Sequence, residues 1–203
     1  MQAIFNFFWV LKKIAFQTAK VPRTSGYSKV IEPYRVKVAD ENSKTLDLGC
    51  GNKPRNPFGA SFVYGIDLKA DKENRILSAD LAVESIPFGD SEFDYITAFD
   101  FLEHIPRVAY LPARAFPFVL LMNEIWRVLR PGGYFLSYTP VYPFPSAFQD
   151  PTHVNFITVN TFSQYFDNHH RQAKIYGFEG KFEVVSQALN SGHLITLLRK
   201  EIF

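Results

Sequence analysis

Short apolar runs alternate along the chain with longer segments in which apolar residues recur at helical spacing. The clearest runs lie at residues 45–49, 62–68 and 93–99; the first ends in a glycine, the second has Asp67 near its end, and Asp100 follows the third. Short apolar runs with such boundaries are typical of buried strands. Because strands that alternate with helices build parallel sheets with helices on their faces, we predict an α/β fold.

The second half of the chain adds helices and closes the predicted sheet. Helical spacing ends at the Arg-Pro-Gly-Gly sequence of residues 130–133, and Asp100 is positioned to cap another helix. Two apolar runs flank residues 190–192 (Asn-Ser-Gly), and a short glycine-containing connection between such runs predicts an antiparallel hairpin. The predicted elements are helices at 116–129 and 159–166, a strand at 134–139, and hairpin strands at 182–189 and 193–199.

The composition is typical of a folded protein with little net charge. Hydrophobic residues make up 47% of the chain, and 22 basic against 20 acidic residues leave a net charge of +2. These values exclude wholesale disorder and argue against a nucleic-acid partner. The single cysteine, Cys50, is typical of a reducing compartment. The apolar run at residues 7–11 is far shorter than the roughly 20 residues of a membrane span, and no basic residue precedes it, so we expect a cytoplasmic protein.

The N-terminal segment differs in pattern from the rest of the chain. We expect residues 1–40 to form a helical extension of a main domain that spans residues 41–203. On a helical wheel, the polar side chains of residues 1–20 share one narrow stripe, and the apolar arc is wider than contact with a single domain requires. We expect a helix docked on its own domain, while a homo-oligomer contact and a weak membrane-surface contact remain open alternatives.

The strongest local signal is a turn with two glycines. The sequence of residues 47–51 (Asp-Leu-Gly-Cys-Gly) directly follows the strand predicted to end there. Glycines at such a turn let the backbone approach a ligand closely, and an acid at the end of the next strand, here Asp67, is positioned to bind two ribose hydroxyls. The turn therefore predicts a ribose-containing ligand at the carboxyl edge of the sheet.

This turn and Asp67, with residues 80–81 (Asp-Leu), 93–94 (Phe-Asp) and 129–133 (Leu-Arg-Pro-Gly-Gly), resemble the Rossmann-like class I S-adenosylmethionine-dependent methyltransferases. The resemblance covers about residues 44–199. It implies a mostly parallel Rossmann-like sheet with a C-terminal antiparallel hairpin and helices on both faces, and S-adenosyl-L-methionine as the cofactor of a methyltransferase domain at residues 41–203. The implied cofactor contacts are Asp47, Gly49, Cys50 and Gly51 at the turn that faces the amino-acid part, Asp67 at the ribose, Asp80 at the adenine amino group, Leu68 and Leu81 beside the adenine ring, and Phe99 at the mouth of the fourth strand.

One segment departs from the family pattern. Between Gly51 and Phe62, where the family has its first helix, Pro54 and Pro57 leave no room for one. We therefore expect the amino-acid end of the cofactor to rest on a loop, helped by the N-terminal region, where the candidates are Arg23, Tyr27 and Tyr34. The rival glycine-turn protein, a nicotinamide-dependent dehydrogenase, is disfavoured because the third glycine and the helix it packs against are both missing.

Histidines are the candidate catalytic residues, because neutral imidazole can receive the proton of a methyl acceptor at pH 7. Of the five histidines, His153 lies in the long irregular segment at residues 140–155, and His104 lies just beyond the strand at 93–99. His153 either faces the acceptor or packs its loop. For His104 the resemblance leaves open a catalytic role, a structural role and a place in the cofactor lining. His169 and His170 follow the short predicted helix and are expected to be exposed. Cys50 is expected to be a small side chain that faces the core, not a nucleophile.

The acceptor is predicted to be a small molecule, most simply the hydroxyl of a sugar or of another hydroxylated metabolite. Aromatic side chains suit the face of such a ring. The alternative is a noncatalytic cofactor-binding or scaffold protein with the same fold. A metal site of Asp100, Asp150 and His153 has no supporting spacing, so we expect no metal. The residues expected to line the acceptor pocket are Tyr138, Tyr142, Phe144, Phe148 and Phe156.

Overall fold

The computed structural model describes residues 18, 20–35, 41–110 and 112–202. The amphipathic helix predicted for residues 1–20 therefore lies almost entirely outside the described residues. Within the described part of the chain, no helix is both long and apolar enough to cross a membrane.

One seven-stranded sheet organises the described residues, with the strand order β3-β2-β1-β4-β5-β7-β6. Strands β1 to β5 run parallel, and β7 is antiparallel to both of its neighbours, β5 and β6. The predicted mostly parallel sheet with a C-terminal antiparallel hairpin is confirmed. The strands are β1 (Lys44–Leu48), β2 (Phe62–Asp67), β3 (Ile76–Ser78), β4 (Phe93–Phe99), β5 (Leu129–Pro140), β6 (Phe182–Asn190) and β7 (His193–Lys200).

Two strands differ from the sequence-based prediction. Strand β3 was not predicted, because it has only three residues and buries one of them, Ile76. Strand β5 begins at Leu129 and not at residue 134, since Leu129 pairs with Phe93 of β4 and the pairing resumes at Tyr134, after the Arg-Pro-Gly-Gly sequence. The sheet register shifts opposite this sequence, where a Cβ on Gly133 would lie 2.8 Å from the backbone oxygen of Asp94. Gly133 therefore permits a close backbone approach.

The described helices are short except for one. The α-helices are α1 (Tyr27–Ile31), α2 (Pro117–Val128) and α3 (Thr161–Tyr165), and 3-10 helices lie at Glu32–Tyr34, Leu102–His104, Pro145–Ala147 and Gln172–Tyr176. Helix α2 begins with Pro117, which suits a first turn because proline lacks the N–H that would go unpaired there. Its buried side chains, including Phe118, Leu121, Met122 and Ile125, recur at helical spacing and face the sheet.

The two faces of the sheet carry separate hydrophobic clusters. Along β4, Ile96 and Ala98 belong to the cluster that α2 covers, while Phe99 belongs to the cluster on the other face. That second cluster includes Ile31 of α1 and Phe58 of the loop after β1. Helices therefore cover both faces as predicted, and residues 20–35 form part of the cover.

The segments at the carboxyl edge of the sheet are mostly irregular. No helix forms between β1 and β2, as the prolines predicted; the loop is closed by two reciprocal 2.8 Å hydrogen bonds between Asn56 and Ala60. The prediction that Asp100 caps a helix is wrong. Asp100 has a positive φ of 50°, its N–H donates to the backbone oxygen of Tyr138, and only the 3-10 helix at Leu102–His104 follows. Its carboxylate lies against His193.

Candidate active site

The glycine turn has the left-handed backbone that its sequence predicts. Gly49 and Gly51 have φ values of 64° and 63°, and the N–H groups of Gly49 and Cys50 donate to the backbone oxygen of Ile66 on β2. A Cβ on Gly49 would lie 2.3 Å from Cδ2 of Phe101. Gly49 is therefore required both by its backbone angle and by the ring packed against it.

Asp67 ties the end of β2 to the glycine turn. Its Oδ2 accepts a 2.8 Å hydrogen bond from the N–H of Gly51, and its Oδ1 accepts one of the same length from the N–H of Leu68. Each carboxylate oxygen can accept more than one hydrogen bond, so the group retains acceptor capacity toward the edge of the sheet. The structure thus brings Asp67 and the turn together.

Asp47 is buried beneath the turn. Its Oδ1 accepts a 2.6 Å hydrogen bond from Oγ1 of Thr97, and its Oδ2 accepts a 2.8 Å bond from the N–H of Arg55. Burial raises the pKa of this carboxyl to about 6, against the opposing effect of the hydrogen bond from Thr97. Asp47 holds the loop after β1 against β4, and through that loop it fixes the position of the glycine turn.

Cys50 is buried between the turn and the loop that follows it. A Cβ on Gly65 would lie 2.5 Å from its Sγ, so the thiol fills the space beside β2. Burial raises the pKa of Cys50 to about 12, and the carboxylates of Asp47 and Asp67 add to the shift. The thiolate that a nucleophile requires is therefore disfavoured, in agreement with the prediction for this residue.

The remaining residues implied for the cofactor lie in different environments. Asp80 is exposed and closes a local turn, since its Oδ1 accepts a hydrogen bond from the N–H of Ala82. Leu68 is 72% exposed beside Asp67, whereas the side chain of Leu81 is buried in the core. Phe99 is buried at the end of β4.

The sequence did not single out Arg55, which lies at this site. Its guanidinium carbon is 4.7 Å from the centroid of the Phe99 ring, and its backbone holds Asp47. Of the three helpers predicted in the N-terminal region, Tyr27 packs edge-on against Phe99 at 5.0 Å, while Tyr34 contacts Tyr134. The third, Arg23, forms a backbone bridge with Leu189 instead.

His104 and His153 meet beyond the ends of β4 and β5. Their ring centroids are 4.9 Å apart, and the buried Glu103 lies beside both. Oε2 of Glu103 accepts a 2.8 Å hydrogen bond from Oγ1 of Thr139, whereas Oε1 is buried and has no hydrogen-bond partner among the described residues. Burial raises the pKa of Glu103. We name Glu103, His104 and His153 the histidine cluster.

Residues 150–155 surround the histidine cluster from the loop side. Oγ1 of Thr152 lies 3.0 Å from Nδ1 of His104 and donates to Oδ1 of Asp150 at 2.7 Å. Because that hydroxyl proton is committed to the carboxylate, His104 is the donor through Nδ1, which leaves Nε2 as its lone-pair nitrogen. Nε2 of His153 lies 4.0 Å from Glu103 and 4.0 Å from Asp150. The backbone N–H of Asn155 donates to the backbone oxygen of Glu103 and fixes the loop to the 3-10 helix.

A second histidine site was not predicted. Nε2 of His193, at the start of β7, lies 3.0 Å from Oδ1 of Asp100, and its ring stacks on Tyr138 at 4.5 Å. The hydrogen bond to Asp100 raises the pKa of His193. These residues come from three distant parts of the chain, so only the pairing of β5 with β7 reveals the contact. His169 and His170 are exposed, as predicted.

The predicted aromatic lining divides into separate groups. Phe148 stacks on Phe156 at 4.8 Å and contacts Tyr142, and all three side chains are exposed. Tyr138 instead packs with His193, and Phe144 lies beside Gly192 at the tip of the hairpin.

A cavity of about 480 Å³ lies between α2 and α3, near the histidine cluster but with different walls. Its lining includes Arg107, Phe116, Tyr165 and Tyr176, and none of the five predicted aromatic residues. Nε of Arg107 donates a 2.7 Å hydrogen bond to Oδ1 of Asn155, which links this cavity to the loop that carries His153.

Comparison with known proteins identifies the domain. Residues 46–137 match the model of a methyltransferase domain. No curated protein matches the sequence.

Solved structures share the fold at low sequence identity. The S-adenosylmethionine-dependent methyltransferase from Mesorhizobium loti is 15% identical, with a TM-score of 0.55 over 85% of this chain and 96% of that chain. The 1,6-didemethyltoxoflavin-N1-methyltransferase from Burkholderia thailandensis, solved with 1,6-didemethyltoxoflavin and S-adenosylhomocysteine, is 14% identical, with a TM-score of 0.54 over 86% of this chain and 76% of that chain. The cyclase SpnF is 16% identical, with a TM-score of 0.58 over 87% of this chain and 80% of that chain.

These similarities confirm the resemblance and the fold class. Residues 46–137 match a methyltransferase domain, and the described residues share the mostly parallel α/β fold of these structures. The fold also occurs in the cyclase SpnF, so the acceptor and the reaction must be argued from the site itself.

Proposed function

We propose that this chain is an S-adenosylmethionine-dependent methyltransferase that acts on a hydroxyl of a small molecule, a sugar or another hydroxylated metabolite. One observation carries the proposal. The glycine turn with Asp67 and the histidine cluster lie at the same carboxyl edge of the sheet, where open α/β folds bind their ligands. This common edge supports a donor site at the glycine turn and a polar acceptor site at the histidine cluster.

The residues at the donor side suit S-adenosylmethionine. Asp67 is placed to accept hydrogen bonds from both ribose hydroxyls, and its bond from Gly51 already fixes the carboxylate relative to the turn. Gly49 and Gly51 expose backbone at the turn, and Leu68 offers an exposed apolar surface next to Asp67. The cofactor supplies an electrophilic methyl group, so the work of the chain is to align an acceptor oxygen with it and to assist loss of the acceptor proton.

His153 is the residue that we propose activates or orients the acceptor hydroxyl. It lies on the long loop over the sheet edge, and the carboxylates of Glu103 and Asp150 flank its Nε2 at 4.0 Å. His104 is the alternative, since Thr152 fixes its ring so that Nε2 keeps a lone pair.

A small-molecule acceptor is supported by two features. The structural neighbour from Burkholderia thailandensis methylates a small heterocycle, as its name states. In this chain the exposed ring of Phe148, on the same loop at 140–155 as His153, stacks on the exposed ring of Phe156, which directly follows that loop. A ring face next to hydrogen-bonding groups suits a hydroxylated ring.

The experiment is an acceptor screen of sugars, phenols and carboxylates with radiolabelled cofactor, followed by kinetics of His153→Ala. If His153 acts on the acceptor proton, turnover falls by about 10²- to 10⁴-fold while the affinity for S-adenosylhomocysteine stays nearly unchanged. His170→Ala is the matched control, because His170 is exposed and lies outside the site. Near-normal turnover of His153→Ala together with a large loss in His104→Ala would transfer the role to His104.

The alternative function is a noncatalytic cofactor-binding or scaffold protein. The likeness to a cyclase shows that the fold supports roles other than methyl transfer. Calorimetry that detects S-adenosylmethionine binding, with no methyl transfer to any acceptor in the screen or in a cell extract, would favour this alternative.

A further inference from the structure

We propose that the histidine cluster binds one divalent transition-metal ion, held by Glu103, His104 and His153. This inference deepens the proposed function and rests on it only for what the ion does, since ion binding is measured without methyl transfer. The set offers two imidazoles and one carboxylate, which are the donors found in open zinc and nonhaem iron sites.

The spacing of the three side chains suits a shared ion. One donor atom from each residue lies within 4.8 Å of the other two. Zn–N bonds of about 2.0–2.1 Å would place the centroids of two adjacent imidazole ligands roughly 5 Å apart, and the rings of His104 and His153 are 4.9 Å apart. Oε1 of Glu103 and Nε2 of His153 are 4.0 Å apart, too far for a hydrogen bond but close enough for a cation to lie between them after small side-chain rotations.

The buried, unpaired carboxylate oxygen of Glu103 indicates a site for a cation. Oε1 of Glu103 is buried without a hydrogen-bond partner among the described residues, and the Glu103 side chain is only 2% exposed. A buried carboxylate oxygen left unpaired carries a large desolvation cost in the ionised state. A cation beside Oε1 removes that cost.

The surrounding hydrogen bonds orient the ligands. Asp150 accepts from Thr152, and Thr152 in turn accepts from Nδ1 of His104, which directs the lone pair of this ring to Nε2. Metal-bound histidines in general use their second nitrogen in this way, donating to an oxygen that fixes the ring. Thr139 orients Glu103 in a similar way, because its hydroxyl donates to Oε2 and leaves Oε1 to bind the ion.

Three protein ligands leave a coordination position for an oxygen atom of the acceptor. An ion there would lower the pKa of the bound hydroxyl, whose proton would pass to solvent. The oxygen would then bond to the methyl carbon of the cofactor as the carbon–sulfur bond breaks and S-adenosylhomocysteine leaves. His153 then activates and orients the acceptor by holding the ion. The set of Asp100, Asp150 and His153, which the sequence did not support as a metal site, shares only His153 with these ligands. Asp100 lies against His193, and Asp150 binds Thr152.

The test is a titration of the full-length, chelator-dialysed protein with Zn²⁺ in competition with a chromophoric chelator. The expected result is one equivalent bound by the wild type, with binding weakened at least about 100-fold in Glu103→Gln, because losing a ligand costs no less than losing an outer partner. His104→Gln should weaken binding similarly, which covers the case in which Glu103→Gln fails to fold. Thr152→Val should weaken binding by about 10- to 100-fold.

His170→Gln is the matched control and should bind Zn²⁺ like the wild type. Co²⁺ in place of Zn²⁺ gives an absorption spectrum that reports imidazole ligation and should be lost in His104→Gln. Equal Zn²⁺ affinity in the wild type and in both cluster variants would overturn the proposal, as would the absence of a stoichiometric site. Full methyl transfer by the metal-free protein would overturn the role of the ion and leave the proposed function intact.

Discussion

At the scale of single residues, Asp67 of the proposed cofactor site is held by backbone hydrogen bonds on both of its carboxylate oxygens. Its two carboxylate oxygens accept from Gly51 and Leu68, so the group is already oriented before any ligand arrives. An oriented carboxylate binds ribose hydroxyls with little further loss of side-chain entropy. The glycine turn lies beside the end of β2, and its backbone thus helps to fix the position of Asp67.

We predict that Asp67→Ala weakens S-adenosylhomocysteine binding by about 1.5–3 kcal/mol, the range for hydrogen bonds to charged groups. Asp67→Asn should lose less, since an amide oxygen still accepts from Gly51 and from one hydroxyl. Calorimetry on the two variants and on Asp71→Ala, an exposed acid in the next loop, measures the effect. Wild-type affinity in a folded Asp67→Ala protein would remove Asp67 from the ribose site.

Single residues also show where sequence signals were sufficient. The positive φ of Gly49 and Gly51 and the burial of Cys50 follow from local sequence, because a strand that ends in glycine dictates its own turn. The contact between Glu103 and His153 had no such signal. It depends on how the loop after β5 folds over the 3-10 helix after β4.

At the scale of elements, the contact of His193 with Asp100 joins the start of β7 to the loop after β4. The charged and titratable groups that face His193 are Asp100 and Glu103 from that loop and its 3-10 helix, and Tyr138 from β5. Asp100 raises the pKa of His193, so the folded state holds the imidazolium more strongly than the unfolded chain does. The pair therefore stabilises the fold fully below the unfolded pKa of about 6.5, and this contribution is lost as pH rises through the higher folded value.

We predict that the difference in unfolding free energy between the wild type and His193→Gln shrinks as pH rises from 6 to 9. At pH 6 the wild type should be more stable by about 1 kcal/mol, a small value because Asp100 is half exposed and solvent screens the pair. Urea unfolding at several pH values measures the difference, with His169→Gln as the exposed control. A difference that is constant over this range would show that the pair contributes no charge-dependent stability.

Element boundaries depended on pairing more than on propensity. The helix predicted at 116–129 is observed as Pro117–Val128, since its periodic apolar face and its proline start are local signals. By contrast, β5 begins five residues before its predicted start, because Leu129 already pairs with Phe93 of β4 and pairing resumes at Tyr134 after a register shift. Such pairing is set by the neighbouring strand and cannot be read from one segment.

At the scale of the whole molecule, the N-terminal region has two parts: a segment that packs on the sheet and the segment that precedes it. Residues 20–35 cover one face of the sheet, where Tyr27 contacts Phe99 and Ile31 is buried. The N–H of Thr24 donates to the backbone oxygen of Leu189 and adds a link to β6. The preceding residues 1–17 have the wide apolar arc noted in the sequence.

We predict that deleting residues 1–20 lowers solubility or changes the oligomeric state without abolishing cofactor binding, because the segment that follows retains its contacts with the sheet. Light scattering, flotation with anionic liposomes and calorimetry with S-adenosylhomocysteine measure the three properties. If the full-length protein is a monomer and does not bind the liposomes, only the docked helix remains among the proposed roles. Loss of cofactor affinity on truncation would contradict the prediction.

The sequence alone determined the alternation of strands and helices, the glycine turn, the acid after the second strand and the closing hairpin. Each is a property of a few neighbouring residues whose backbone angles, periodicity or turn chemistry act locally. Tertiary structure alone decided the short edge strand β3, the stacking of His193 on Tyr138, and the meeting of Glu103 with His104 and His153. These contacts join segments far apart in the chain, and their geometry is fixed by sheet register and loop packing, which no local pattern of residues specifies.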